Sequence, residues 1–128
     1  KLNKVEYCGY MANTKLLLKL HEFDLAILMS QKIEGNSMSL IEAIVEAHLP
    51  VIGSNVGGTP LVLNDEKYGF IIREYTQPLE LADLLLKIDQ QRELLSIKRG
   101  HIESDAEDYF SPIKSARQLM DFVKELMR

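Results

Sequence analysis

Three short apolar runs, separated by stretches of helical pattern, constrain this chain more than any other feature. Leu25 to Met29, Val51-Ile52-Gly53 and Phe70-Ile71-Ile72 are continuous rather than alternating, as strands are when both faces of a sheet are covered. Between the first two lies a segment from Ser39 to about Ala47. It carries Leu40, Ile41, Ile44 and Val45 on one stripe, with Glu42 and Glu46 on the other face. Leu49-Pro50 ends that helix, because proline cannot continue the hydrogen-bond ladder. Strands joined by helix-length crossovers predict a parallel sheet wound in the right-handed sense. The expected class is α/β, with flanking helices and a helical C-terminus.

The remaining elements follow from local signals. Val5-Glu6-Tyr7-Cys8 predicts a further strand, closed by Gly9. Asn13 can cap a helix from Thr14 to about His21, with Leu16, Leu17 and Leu20 facing a core. Asn64 to Gly69 is a turn cluster. Thr76 and Pro78 start a helix whose apolar face is Leu81, Leu84, Leu85 and Ile88. A second helix, about Gln90 to Arg99, is expected to stop at Gly100, with a short helical piece from His101 to Tyr109. Ser111-Pro112 then caps a last helix, whose stripe of Ala116, Leu119, Met120, Val123 and Met127 is expected in the core. With no repeat or linker, residues 1–128 read as a single domain.

Composition excludes several classes. Hydrophobic residues make up 46% of the 128, enough for a core. The net charge is −4, and no basic cluster exceeds Lys98-Arg99, which argues against nucleic acid as a partner. Cys8 is the only cysteine, so no internal disulfide can form and a reducing cytoplasm is compatible. The apolar runs are far short of a membrane span, and no signal peptide is visible. The chain starts at Lys1 and is expected to be a piece of something longer.

The chemistry concentrates in residues 34 to 60. Glu34 sits in a Gly/Asn/Ser-rich loop, and Glu42 follows eight residues later inside the predicted helix. Ser37 or Ser39 can cap that helix. A loop leading into a helix start presents unpaired N–H groups and partial positive charge, a place for an anion such as phosphate. In a doubly wound sheet, ligands sit beyond the carboxyl ends of the strands, where the loops after Cys8, Met29 and Ile52 converge. The competing reading is a capping box, in which Ser39-x-x-Glu42 merely closes the helix start.

The whole string resembles a known family. Glu34-x7-Glu42, Leu49-Pro50-Val51-Ile52 and Gly57-Gly58-Thr59-Pro60, preceded by Phe23 to Ser30, are similar to the donor-binding motif of retaining GT-B glycosyltransferases, the "group 1" family. The resemblance implies the Rossmann-like C-terminal half of a GT-B fold, a partial nucleotide-sugar-binding domain. It implies metal-independent retaining transfer from a nucleotide-diphosphate sugar, and a role in polysaccharide biosynthesis. The acceptor would be held by a missing N-terminal domain. The absence of an Asp-x-Asp or His/Cys cluster agrees with the metal-independent chemistry. No cofactor is expected beyond the donor substrate.

By this resemblance Glu42 accepts from the donor's ribose hydroxyls, and Glu34 is the catalytic residue beside the donor sugar. Backbone N–H groups of Asn36, Ser37 and Met38 hold sugar hydroxyls and the distal phosphate. Met38 and Ser39 face the charge growing on the leaving diphosphate. Gly9, Tyr10 and Met11 cradle the base, and Gly57, Gly58 and Thr59 allow close backbone approach to the phosphates. With no nucleophile near the motif, front-face transfer is implied. The departures are Leu61 for a glutamate, Ser37 for a glycine and His48 for a glycine at a position favouring positive φ. The family's basic diphosphate-neutralising pair lies upstream, so this stretch alone is expected to bind donor weakly and transfer nothing.

Other polar residues read as background. His21, His48 and His101 lack partners at ligand or triad spacing. Glu103, Asp105, Glu107 and Asp108 read as a solvated helix face, and Lys32 as a surface lysine. Ser30 lacks a nucleophile-elbow context. The rival function is a non-catalytic α/β module that self-associates, or docks a partner chain, through a sheet edge exposed at Val5 or Val51. A receiver-type regulatory domain would need an acidic pocket at the strand ends. The expected location is cytoplasmic, with a peripheral membrane position of the full-length protein left open.

Overall fold

The computed structural model describes residues 5–32, 35 and 37–128. The described residues form six helices and three strands. They are α1 (Asn13–Leu20), β1 (Ala26–Leu28), α2 (Met38–Val45), β2 (Val51–Ser54), α3 (Thr59–Val62), β3 (Gly69–Ile72), α4 (Pro78–Gln90), α5 (Glu93–Tyr109) and α6 (Pro112–Leu126). Helix and strand alternate as far as α4, and the rest is helical. The strands form one parallel sheet in the order β1-β2-β3, as the uninterrupted apolar runs predict. Ala26 pairs with Val51, and Val51 with Gly69, so β2 is central.

Successive β2 side chains point to opposite faces, and each face has its own core. Val51 joins Leu40 and Ile44 of α2, Leu63 just past α3, Tyr68 just before β3 and Ile102 of α5. Ile52 joins Ile72, Ile88 and Leu95, from α4 and the start of α5. Tyr68, Ile44, Val51 and Ile52 are fully buried. A core isoleucine of this kind contributes about 2–5 kcal/mol relative to alanine.

Two glycines set how closely layers approach. A Cβ on Gly69 would lie 1.9 Å from the carbonyl oxygen of Val51, and one on Gly53 would lie 2.5 Å from Thr59 Cγ2. Asn64, Asp65 and Glu66 form a left-handed turn, with φ of 48°, 49° and 71°. Side chains hold the chain around it: Glu66 Oε1 accepts from Ile71 N–H at 3.0 Å, and Lys98 Nζ donates to the Glu66 carbonyl. The end of β3 is tied to α4 by Glu80, whose carboxylate accepts from the N–H groups of Arg73 and Glu74 at 3.1 and 2.6 Å.

Four expectations are corrected. Val5 to Cys8 is exposed and forms no strand; it pairs with none of the three strands of the described sheet, and an unpaired extended segment is not a strand. Val51 is paired on both sides, so the sheet edges are β1 and β3. The helix expected to stop at Gly100 continues as α5 from Glu93 to Tyr109. Leu95, Ile102 and Ala106 bury on both sides of that glycine, and this packing outweighs its cost of about 1 kcal/mol. The stripe of α6 is not core, because no residue of that helix is buried. Its cap is as expected, with Ser111 Oγ accepting from Lys114 N–H at 3.3 Å.

Candidate donor site between two helix starts

The candidate site is built where α1 and α2 begin beside β1. Asn13, a favourable cap residue, does not cap α1: Ala12 occupies the cap position and no side chain closes that helix start. A cap of this kind is worth about 0.5–2 kcal/mol, and α1 forgoes it. Asn13 instead donates its Nδ2–H to Glu42 Oε1 at 2.9 Å, across 29 residues of chain. Among the described residues it is the one hydrogen-bond partner of that carboxylate.

The capping-box alternative fails on position. Ser37, not Ser39, is the cap of α2, and the residue three beyond it is Leu40, which has no carboxylate to reach back. The Ser37 hydroxyl makes no capping hydrogen bond either. The first N–H groups of α2, at Met38 and Ser39, therefore emerge without a side-chain cap. Glu42, half-buried, shares the α1-facing side of α2 with Ser39 and Ala43. These residues wall a cavity of about 140 Å3, together with Leu16 and Leu20 of α1 and Leu28 of β1. At that volume the cavity is smaller than the roughly 300–1,000 Å3 of a whole ligand pocket, so it has room for only part of a ligand.

The other site residues fall as follows. Gly9 has φ +63°, a left-handed turn just ahead of α1. Tyr10 is 98% exposed and Met11 half-buried. Ser37 is buried, while Met38 and Ser39 are exposed. Gly57 has φ +54°, Gly58 is the cap of α3, and Thr59 is that helix's first residue. The Thr59 side chain is buried against Gly53. The end of β2 is tied to the loop after β1, since Ser54 Oγ donates to the Ser30 carbonyl at 2.6 Å. Glu34 and Asn36 lie outside the described residues. Asn13 is the site residue that sequence reasoning read as a cap; its partner lies on another helix, and no local spacing signals that.

His48 stands in the left-handed region at φ 51°, as expected for a position that favours glycine. Within the acidic run the side chains are unequal. Glu103 and Glu107 are exposed, whereas Asp105 accepts from Lys67 and Tyr68, and Asp108 pairs with Lys114. No three His, Cys, Asp or Glu side chains among the described residues form a metal-ligand group.

Residues 1–100 match the family of glycosyl transferases group 1. The chain belongs to that family. No curated protein matches it. A group 1 domain implies a nucleotide-sugar donor, and the match runs through every element from α1 to α4 and into α5. Helix α6 lies beyond the matched residues. No helix among the described residues is long and apolar enough to cross a membrane.

Proposed function

We propose that these residues form the donor-binding part of a retaining group 1 glycosyltransferase. The observation that carries this reading is the Glu42 carboxylate. It is not spent on capping α2, and Asn13 holds it beside a cavity between α1 and α2. Glu42 would accept from the ribose hydroxyls of a nucleotide-diphosphate sugar, and the turn at Gly9, Tyr10 and Met11 would hold the base. The uncapped start of α2 at Ser37, Met38 and Ser39, with Asn36, would face the diphosphate and sugar, and Glu34 would stand beside the donor sugar. Gly57, Gly58 and Thr59 would border the phosphates. The acceptor would be bound by an N-terminal domain outside these residues. Its hydroxyl attacks the anomeric carbon as the nucleoside diphosphate leaves from the same face, and the departing phosphate oxygen takes the hydroxyl proton. A reducing cytoplasm suits the free, exposed Cys8.

Calorimetric titration of UDP-, GDP- and ADP-sugars into the full-length protein tests this. A carboxylate–hydroxyl bond is worth about 1.5–3 kcal/mol, so Glu42→Gln should weaken donor binding by roughly 10–100-fold and leave the melting temperature nearly unchanged. A lower melting temperature with unaltered donor affinity would refute the reading. A second reading, a non-catalytic self-associating module, draws on edge strand β1, where Ile27 is 46% exposed. A stable dimer indifferent to every nucleotide would favour it.

A further inference from the structure

We propose that Asn13 is a positioning residue for the donor, holding Glu42 so that the second oxygen of its carboxylate meets the incoming hydroxyls. The inference rests on the donor-binding reading of Glu42. Asn13 is the first residue of α1, one past the cap position at Ala12, and its exposed side chain reaches across to Glu42 on α2. The neutral amide supplies one donor to one carboxylate oxygen without forming an ion pair. Glu42 is thereby fixed in orientation and keeps its charge for a ligand. The same bond fixes the distance between the Gly9 to Met11 turn, which leads directly into α1, and the carboxylate on α2. Base and ribose are neighbours in any nucleotide, so a single contact sets the spacing of the two groups that would read them.

The test is donor titration of the full-length protein carrying Asn13→Ala or Asn13→Asp, alongside Glu42→Gln. Asn13→Ala is expected to weaken donor binding about 5–10-fold with little change in melting temperature, because the carboxylate is then free to turn into water. Asn13→Asp keeps the shape and removes the donor, setting two carboxylates against each other. Its donor affinity should be weaker than that of Asn13→Ala at neutral pH and recover as the pH falls, since protonating one of two adjacent carboxylates restores a hydrogen bond. If both variants lower the melting temperature while donor affinity and its pH profile match the wild type, Asn13 only pins α1 to α2 and the proposal is overturned. Loss of binding in Glu42→Gln with none in the Asn13 variants would overturn this inference and spare the donor reading. A wild-type protein that binds no donor, or a neutral Glu42→Gln, would end both.

Discussion

The hydroxyl of Tyr68 donates to Asp105 Oδ1 at 3.0 Å, joining the loop before β3 to the middle of α5 across 37 residues. The ring of Tyr68 is fully buried and packs edge-on against Tyr109, with centroids 5.6 Å apart. Burial is the main reason its phenol is pushed up from 10.0 to about 12. A hydrogen bond with Asn64 works the other way, and the Asp105 charge adds to the rise. The native state therefore keeps its proton where the unfolded chain loses it, and stability should decline between pH 10 and pH 12. In a phenolate absorbance titration, one of the five tyrosines should ionise late, and Tyr68→Phe should remove that step. A titration unchanged by the substitution would contradict the assignment.

At the acid end the sign reverses. The hydrogen bond from Lys67 holds the Asp105 carboxyl below its ordinary value of 3.8, against the opposing effect of burial and with help from Tyr68. Glu80 is likewise lowered, first by the N–H of Glu74 and then by that of Arg73. Depressed native values give stability that is complete above the unfolded pKa, near pH 4, and lost as pH falls through the native one. Acid unfolding followed by circular dichroism should flatten in Asp105→Asn and, separately, in Glu80→Gln.

Gly69→Ala should damage the sheet itself. The added Cβ meets the Val51 carbonyl at 1.9 Å, and both residues belong to paired strands. Such overpacking costs about 1–3 kcal/mol or more, measurable as a lower midpoint in urea. At exposed Gly100, where a Cβ would meet nothing within 4 Å, alanine should instead raise the midpoint, for a gain in stability of up to about 1 kcal/mol.

Helix α6 predicts a contrast with the core. Leu119 and Phe122 are 63% and 57% exposed, whereas Ile44 is 0% exposed. Leu119→Ala and Phe122→Ala should each shift stability by no more than about 0.5 kcal/mol. Ile44→Ala should cost about 2–5 kcal/mol. Equal losses at the two places would mean that α6 is packed.

The three strands were legible because burial on both faces writes itself into consecutive residues, as at Val51-Ile52 and Ile71-Ile72. Val5 to Cys8 has a similar local pattern, but a strand also requires a neighbour, and composition cannot supply one. Gly100 misled for the opposite reason, since a local breaker yielded to Leu95, Ile102 and Ala106 packing around it. The α6 stripe showed that the helix is two-faced without showing whether anything covers the apolar side. At the site, Glu42 was visible through the family motif. The bond from Asn13 was not, because it spans 29 residues and replaces a role that Asn fills well on its own.

The uncovered face of α6 bears on how the chain melts. A 15-residue helix with no buried side chain draws little from tertiary contacts, and an isolated helix of that length is marginal in water. Its opening free energy is thus decoupled from that of the sheet. Backbone amides of residues 112–126 should exchange with deuterium well before those of β2, and helical signal should be lost on heating ahead of the cooperative transition.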